Sequence, residues 1–225
     1  MTFQWVDCDR DFISRRYDRL ANSIVLFEWF LFVPAGFRRR AVEALDLTPG
    51  SRVLEIGCGT GRNFQYLRDA VGPTGHVFGV DLSPAVLARA SDLIERQGWT
   101  NFTLVQRDAA DFSAPAPFDA VMFGLSYNTM PHHLRVLQNA LAQLRPGGRV
   151  VIMDAKVPDG RIGKLMMPLA IWLMKKTLLG NPLIRPWEHL AGMTDRFEME
   201  QFLLTSYYVC RGVKPHFARM LQAAE

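Results

Sequence analysis

Three glycines at alternate positions, Gly57, Gly59 and Gly61, directly follow an apolar run that carries Glu55. The run, residues 53–56, is predicted to be a buried β-strand, and the residues after the glycines favour a helix. Glycine allows a sharp backbone turn and lets a ligand approach without a Cβ in its path. The N-terminus of the following helix offers free N–H groups and the positive end of the helix dipole. The loop is therefore predicted to bind a carboxylate or phosphate group of a ligand.

The spacing of the glycines separates two classes of cofactor. A dinucleotide fingerprint, G-x-G-x-x-G, would need its third glycine at position 62, which is Arg62. The observed G-x-G-x-G, with Glu55 just upstream, resembles motif I of the class I S-adenosylmethionine-dependent methyltransferases. The resemblance implies that S-adenosylmethionine is the cofactor, that S-adenosylhomocysteine is the product, and that Glu55 helps to anchor the methionine part. It places the cofactor against a loop made of Gly57, Cys58, Gly59, Thr60, Gly61 and Asn63.

Acidic residues end the second and third predicted strands. Asp81 lies twenty residues after Gly61, where a carboxylate can accept hydrogen bonds from both ribose hydroxyls of a nucleoside. The resemblance implies that Asp108 receives the adenine amino group; a plain loop role is the alternative, because Asp111 lies nearby. The predicted cofactor site therefore also includes Asp81, Leu82, Asp108 and Ala109.

The segment after the fourth predicted strand points to the acceptor side of the site. Its residues are Gly124, Leu125, Ser126, Tyr127 and Asn128. In the resembled family the cofactor and the acceptor meet here, which implies cofactor contacts from Gly124 and Ser126 and makes Tyr127 a catalytic candidate. The segment lacks the N/D-P-P-Y/F signature of amino-methyltransferases. A nucleic-acid base or protein amide is therefore disfavoured as the acceptor, and no nucleic-acid partner is expected.

The sulfonium of S-adenosylmethionine is already an activated methyl donor. For methyl transfer the protein therefore has mainly to align the acceptor atom, the methyl group and the sulfur in a water-poor pocket. A phenol or enol acceptor must also lose a proton, and a positioned base then helps. His132 is a candidate base, although a histidine at a helix start is also a common surface cap. Tyr17, followed by Asp18, resembles the N-terminal YD segment of the ubiquinone/menaquinone-biosynthesis methyltransferases, whose helix covers the cofactor. This resemblance makes Tyr17 a candidate for both cofactor and catalytic contacts.

The elements that must position these residues alternate between strand and helix from residue 51 onward. Strands are predicted at residues 52–56, 76–80, 102–106, 118–123, 149–153 and 207–211. Ser83 is expected to cap a helix that runs to about Gln97. Residues 145–148 are expected to form a tight turn that resembles the family's L-x-P-G-G segment. With the resemblance, this alternation predicts a doubly wound, mostly parallel, seven-stranded Rossmann-like α/β fold with N-terminal helices.

An apolar, methionine-rich segment interrupts the alternation between residues 158 and 195. Its most apolar part, residues 165–174, is too short to span a bilayer. We expect this insertion either to line a pocket for acyl or prenyl chains or to dip into the head-group region of a membrane. A cover for the sheet or a dimer interface is the alternative. Basic clusters beside apolar stretches favour contact with an anionic membrane, or else are solvated helix faces. These clusters are Arg15, Arg16 and Arg19; Arg38, Arg39 and Arg40; and Lys164, Lys175 and Lys176.

The closing residues 207–212 loosely resemble the last strand of the quinone methyltransferases. The post-fourth-strand segment 125–127 is similar to bacterial phospholipid and betaine-lipid N-methyltransferases. The elements that normally precede the last strand are predicted to be shortened between residues 192 and 206. The expected function is methylation of a lipid or lipid-like acceptor, either a phospholipid head-group amine or a prenyl quinone. A methyltransferase for a soluble small molecule and a catalytically silent cofactor-binding scaffold are the alternatives, and the oligomeric state stays open.

The chain of 225 residues is predicted to be a single methyltransferase domain. Its proposed parts are an N-terminal helical lid (1–47), a cofactor-binding core (48–157), a substrate-side insertion (158–195), and a closing strand with a tail (196–225). Three cysteines without paired spacing make a zinc site or a disulfide framework unexpected, and no metal is predicted. The acidic start is unlike a signal peptide, so a cytoplasmic location is expected, with peripheral binding to the inner face of the membrane.

Overall fold

Seven strands form one sheet in the computed structural model, which describes residues 33–130, 132–176 and 180–216. In chain order they are β1 (Arg52–Ile56), β2 (His76–Asp81), β3 (Phe102–Gln106), β4 (Phe118–Gly124), β5 (Leu144–Ala155), β6 (Asp195–Phe202) and β7 (Tyr207–Val213). Across the sheet they lie in the order β3-β2-β1-β4-β5-β7-β6. Strands β1 to β5 pair in parallel, whereas β7 is antiparallel to both β5 and β6. The predicted fold class is confirmed.

Helices cover both faces of the sheet. They are α1 (Phe37–Ala44), α2 (Phe64–Val71), α3 (Pro84–Gln97), α4 (His133–Gln143), α5 (Gly160–Lys176) and α6 (Pro186–Met193), and a short 3-10 turn spans Tyr127–Thr129. Neighbouring strand residues point to opposite faces. Val53 therefore packs into one core with α1, α2 and α3, while Leu54 packs into a second core with α4 and α6. This two-sided burial explains why the central strands are mostly apolar.

The structure confirms several element boundaries and corrects two. Helix α3 begins at Pro84 and is capped by Ser83, whose Oγ accepts a hydrogen bond from the N–H of Val86 at 3.3 Å. The predicted tight turn at residues 145–148 is instead the irregular start of β5, which already pairs Leu144 with Phe118. The predicted shortening before the last strand was wrong, because β6 is eight residues long.

The sequence did carry a signal for β6. Phe197 and Met199 alternate with charged residues, the period-2 pattern of a half-buried strand. Both side chains pack against the core on the α6 side of the sheet. Strand β6 therefore completes the sheet as an edge strand with one buried face.

Two of the predictions concern the N-terminal lid and the crossing of a membrane. Of the predicted lid, residues 1–47, only residues 33–47 lie within the described part of the chain, and they contain α1. Tyr17 lies outside the described residues. Among the helices described, none combines the length and the apolar character that crossing a bilayer requires.

Candidate active site

A pocket that is partly open to solvent lies at the carboxyl ends of the parallel strands. In sheets of this type, ligands bind at that edge, where the strand order reverses. Here the reversal falls between β1 and β4. The sequence-predicted residues that line the pocket are Gly57, Cys58, Gly59, Thr60, Asn63, Asp81, Leu82, Asp108, Ala109, Gly124 and Ser126.

The glycine loop is held against β2 and opens toward the pocket. The Gly57 N–H donates to the carbonyl of Val80 at 2.8 Å. Gly59 adopts φ +54°, and a Cβ built there would meet no atom within 4 Å, so its surroundings are open. Gly61 differs, because a Cβ there would lie 2.6 Å from the ring of Phe64. Gly61 therefore permits the close packing of α2 and is not part of the pocket wall.

Asp81 joins the glycine loop to the end of β2. Its Oδ2 accepts the Gly59 N–H at 2.8 Å, and its Oδ1 accepts the Ser83 N–H at 3.0 Å. A carboxylate oxygen can accept more than one hydrogen bond, so Asp81 keeps acceptor capacity toward a ligand in the pocket. Since Ser83 caps α3, the carboxylate is not needed as the helix cap.

Asp108 and Ala109 form the wall beyond β3. The Asp108 Oδ1 accepts the N–H of Ala110 at 2.8 Å, which closes a local turn. The preceding residue, Arg107, donates its N–H to the carbonyl of Asp81 at 3.1 Å. These bonds place the Asp108 carboxylate next to Asp81 along the same edge of the sheet, as the sequence predicts.

Glu55 does not line the pocket but lies behind Asn63. It is 1% exposed, and its Oε1 accepts a hydrogen bond from the Asn63 side-chain amide. The other oxygen, Oε2, is buried and has no hydrogen-bond partner in the part of the chain that the structure describes. Burial raises the pKa of Glu55 to about 7, although the Asn63 bond and the charge of Arg38 oppose this rise. Next to the site there is therefore a buried carboxyl group with one oxygen, Oε2, that no donor in the described part of the chain satisfies.

At two positions in the pocket, Gly57 and Gly124, the neighbouring atoms leave no room for a Cβ. A Cβ on Gly124, at the end of β4, would overlap the Asn63 amide that binds Glu55. A Cβ on Gly57 would lie 2.6 Å from the Cβ of Ser126. The Ser126 hydroxyl donates to the carbonyl of Ile56 at 2.8 Å, which fixes the loop after β4 against β1. Gly124 and Ser126 therefore shape the pocket by close packing.

The structure does not bring two of the predicted catalytic residues, Tyr127 and His132, into the pocket, and the third, Tyr17, lies outside the described residues. Tyr127 is 0% exposed and points into the core, where its hydroxyl lies 3.2 Å from Nδ1 of His189. Burial raises the pKa of this phenol. His132 is exposed on the surface at the start of α4 and is not part of the wall. The prediction that Tyr127 or His132 faces the acceptor is therefore corrected, and we assign neither of them a catalytic role.

Several wall residues were missed by the sequence argument. They are Arg38, Arg62, Val80, Ser83, Arg107, Thr129, Met130 and Val136. Most of them are next to a predicted site residue in the sequence, and this position could have predicted that they line the pocket. Arg38 had no such signal, since it belongs to a basic cluster that we interpreted as a surface. In the structure its Nη1 donates to the Asn63 Oδ1 at 2.7 Å.

A second buried carboxylate lies at the end of β5. Asp154 is 6% exposed and accepts hydrogen bonds from the N–H groups of Ala155 at 2.8 Å and Asn128 at 3.3 Å. Burial raises its pKa from 3.8 to about 7, and the two N–H bonds only partly oppose this. The protonated form is therefore favoured by folding, and this contribution to stability is lost as the pH rises toward 7.

We expect Asp154→Asn to flatten the pH dependence of stability. Between pH 5 and pH 7.5 the free energy of unfolding should fall by about 2 kcal/mol less in the variant than in the unmodified protein, because the amide cannot ionise. Urea unfolding followed by circular dichroism at both pH values measures this difference. Parallel curves for the two proteins would show that Asp154 does not carry the effect.

The strand order, the glycine loop and the pocket are together typical of the class I S-adenosylmethionine-dependent methyltransferase fold. Residues 47–190 match the protein family described as a methyltransferase domain, and the chain belongs to this family. The Glu55 Oε2, which has no donor among the residues that the structure describes, and the open space at Gly59 are consistent with a cofactor that presents a cation and lies close to the backbone.

Curated relatives and solved structures agree with this assignment. The chain is similar to demethylmenaquinone methyltransferases of Anoxybacillus flavithermus (31% identity over 149 residues, 65% of this chain and 60% of the relative) and Staphylococcus aureus (33% over 158 residues, 70% and 63%). It thus spans about three fifths of the length of these relatives. The fold resembles a phosphoethanolamine N-methyltransferase of Haemonchus contortus bound to phosphomonomethylethanolamine and S-adenosylhomocysteine (TM-score 0.73, 17% identity, 93% of this chain and 61% of that one).

Proposed function

We propose that the chain transfers a methyl group from S-adenosylmethionine to a lipophilic acceptor, with a prenyl quinone as the first candidate. The observation that carries the proposal is an exposed apolar face on α5, in the insertion whose Gly180 and Asn181 contact Asn128 in the turn after β4. The names of the curated relatives support a quinone acceptor. A phospholipid head-group amine is the second candidate, supported by the amine substrate in a structure of similar fold.

On the cofactor side, we propose that different residues bind different parts of S-adenosylmethionine. Asp81 would accept the ribose hydroxyls, Asp108 the adenine amino group, and Glu55 the ammonium of the methionine part. S-Adenosylmethionine supplies an activated methyl group on its sulfonium, so the task of the chain is to align the acceptor and exclude water. The apolar Leu125 and Met130, which line the pocket beside the glycine loop, suit a water-poor site.

The insertion contacts the segment on which the acceptor would lie. The Asn181 N–H donates to the carbonyl of Asn128 at 2.9 Å, and Gly180 packs against the same residue. Asn128 belongs to the 3-10 turn after β4, and this turn also contains the wall residue Thr129. The insertion is thus held next to the open pocket, which supports a role in receiving the acceptor.

The α5 apolar face consists of four exposed side chains at helical spacing. They are Leu165 (83% exposed), Met166 (44%), Leu169 (61%) and Trp172 (57%). The exposed side chains of Arg161 and Lys164 lie on the same helix. An amphipathic helix with apolar side chains and flanking cations suits the head-group region of an anionic membrane. We propose that this face meets the membrane, where a long-chain acceptor would be delivered.

The double variant Leu169→Ser with Trp172→Ser tests this function. We expect turnover on a demethylated long-chain prenyl quinone in anionic vesicles to fall about tenfold or more, since about 1.5–3 kcal/mol of burial is lost per side chain. Turnover on a short-chain, water-soluble quinone and affinity for S-adenosylhomocysteine should not change. Leu134→Ser, which replaces an exposed leucine on α4, is the matched control. Equal turnover on vesicles by both variants would remove the α5 apolar face from the reaction.

A further inference from the structure

We propose that the tip of the β6–β7 hairpin, formed by Leu203 and Leu204, is a second membrane contact that acts together with the α5 apolar face. The two side chains are 52% and 86% exposed. Adjacent exposed leucines at a turn leave apolar surface in water that the fold itself does not cover. The proposal rests on the proposed lipophilic acceptor and adds a second element through which the protein binds an anionic lipid surface.

The backbone of the hairpin tip is unusual for leucine. Leu203, Leu204 and Thr205 have φ values of +44°, +51° and +67°. Residues other than glycine, asparagine and aspartate disfavour this left-handed region, because the Cβ crowds the following carbonyl oxygen. Turns of this geometry ordinarily carry those residues. Leucine here costs free energy of folding that little burial offsets, and strained residues of this kind cluster at functional sites.

The hairpin tip lies at the same edge of the sheet as the pocket. Tyr207 begins β7 and pairs with Ala155, the last residue of β5. Because β5 is parallel to β4, its end belongs to the edge where the carboxyl ends of the parallel strands meet. In the sheet β7 is two strands from β4, a distance of about 10 Å. An acceptor that leaves a lipid surface at the tip therefore arrives at the edge that carries the pocket.

Two hydrogen bonds tie the hairpin tip to the start of α5. The N–H of Lys156 donates to the carbonyl of Ser206 at 2.8 Å. The N–H of Asp159, the residue directly before α5, donates to the hydroxyl of Thr205 at 2.9 Å. Leu165, the first exposed leucine of the α5 apolar face, lies about 7 to 8 Å along the helix from its first residue. The tip and this face are therefore held near each other and can meet one surface.

The charges beside the hairpin tip suit an anionic lipid surface. The turn itself, residues 202–206, carries no charged side chain. Arg161 and Lys164 are exposed in the first turns of α5. The carboxylate of Asp159, just before the helix, pairs with the ammonium of Lys156 at 2.6 Å. Cations next to exposed apolar side chains attract anionic head groups, whereas a symmetric contact with a second copy of this chain would bring like charges together.

The test replaces both leucines with a residue that suits the turn. In Leu203→Asn with Leu204→Asn, affinity for vesicles of equimolar phosphatidylglycerol and phosphatidylcholine should fall about tenfold, because two apolar side chains no longer enter the lipid. The melting temperature should stay the same or rise, since asparagine adopts the left-handed region more readily than leucine. Vesicle flotation and calorimetry measure the two effects. Leu134→Asn, at an exposed leucine of α4, is the matched control and should keep full vesicle affinity.

The other outcomes separate the hairpin tip from α5 and from the proposed activity. Unchanged vesicle affinity in the hairpin variant, with a loss in Leu169→Ser with Trp172→Ser, would overturn this inference and leave α5 as the membrane contact. A dimer that the hairpin variant converts to a monomer in analytical ultracentrifugation would assign the tip to a second copy instead. If the double variant does not fold, Leu204→Gly should still lower vesicle affinity. Absence of turnover on a short-chain, water-soluble quinone would contradict the proposed function without touching the binding of the tip to lipid.

Discussion

Replacing Gly59 with valine is expected to abolish binding of S-adenosylmethionine and S-adenosylhomocysteine while the protein still folds. Gly59 lies on the pocket wall, and the space that a side chain would enter there is open. Valine would fill this space with a branched side chain, where we place the cofactor close to the backbone. The positive φ of +54° adds strain, since residues other than glycine disfavour it by about 1–2 kcal/mol.

Gly98→Val is the matched control for that strain. Gly98 ends α3 with φ +64°, has open space around its Cβ position and does not line the pocket. Both variants should lose a similar amount of free energy of unfolding, about 1–2 kcal/mol, because both place a branched residue at positive φ. Only Gly59→Val should raise the Kd for S-adenosylhomocysteine, by about 100-fold or more. Calorimetric affinity that is unchanged in Gly59→Val would show that the cofactor does not lie against this loop.

Much of the fold was predictable because its signals are local. The bounds of α3 follow from Ser83 as the cap, Pro84 in the first turn and Gly98 after the last turn. The glycine loop follows from residues that sit next to one another in the chain. In contrast, β6 was missed, since its apolar positions are few and its edge location hides them among charged residues. Edge strands depend on their neighbour more than on their own sequence.

In the candidate site, too, some residues could be predicted from the local sequence, whereas others depend on the tertiary packing. Residues at strand ends, such as Asp81 and Asp108, could be predicted because parallel strands bring their carboxyl ends to one edge. The direction of the Tyr127 side chain could not be predicted from the sequence, because the 3-10 turn after β4 determines whether this side chain faces the pocket or the core. Arg38 could not be predicted either, because its bond to Asn63 joins residues 25 positions apart through the packing of α1.

Asp81→Ala is expected to weaken S-adenosylhomocysteine binding by about 100-fold, which is about 2.7 kcal/mol, with a smaller effect on folding. Two losses combine in this variant: the acceptor that we propose for the ribose hydroxyls, and the bond from Gly59 N–H that holds the loop. The Ser83 N–H also loses its partner. Because each is an ordinary backbone donor, we expect the free energy of unfolding to fall by about 1–2 kcal/mol.

The two losses can be separated with a ligand that lacks the ribose hydroxyls. If Asp81 binds them, the unmodified protein should bind a 2′,3′-dideoxy analogue of S-adenosylhomocysteine much more weakly than the natural ligand, and Asp81→Ala should bind the two almost equally. If Asp81 only holds the loop, both proteins should show the same preference for the natural ligand. Asp111→Ala, which removes a nearby carboxylate that pairs with Arg135 and lies outside the pocket wall, should preserve the full preference. A preference that survives in Asp81→Ala would therefore assign the hydroxyls to another group and leave Asp81 as a structural tether of the glycine loop.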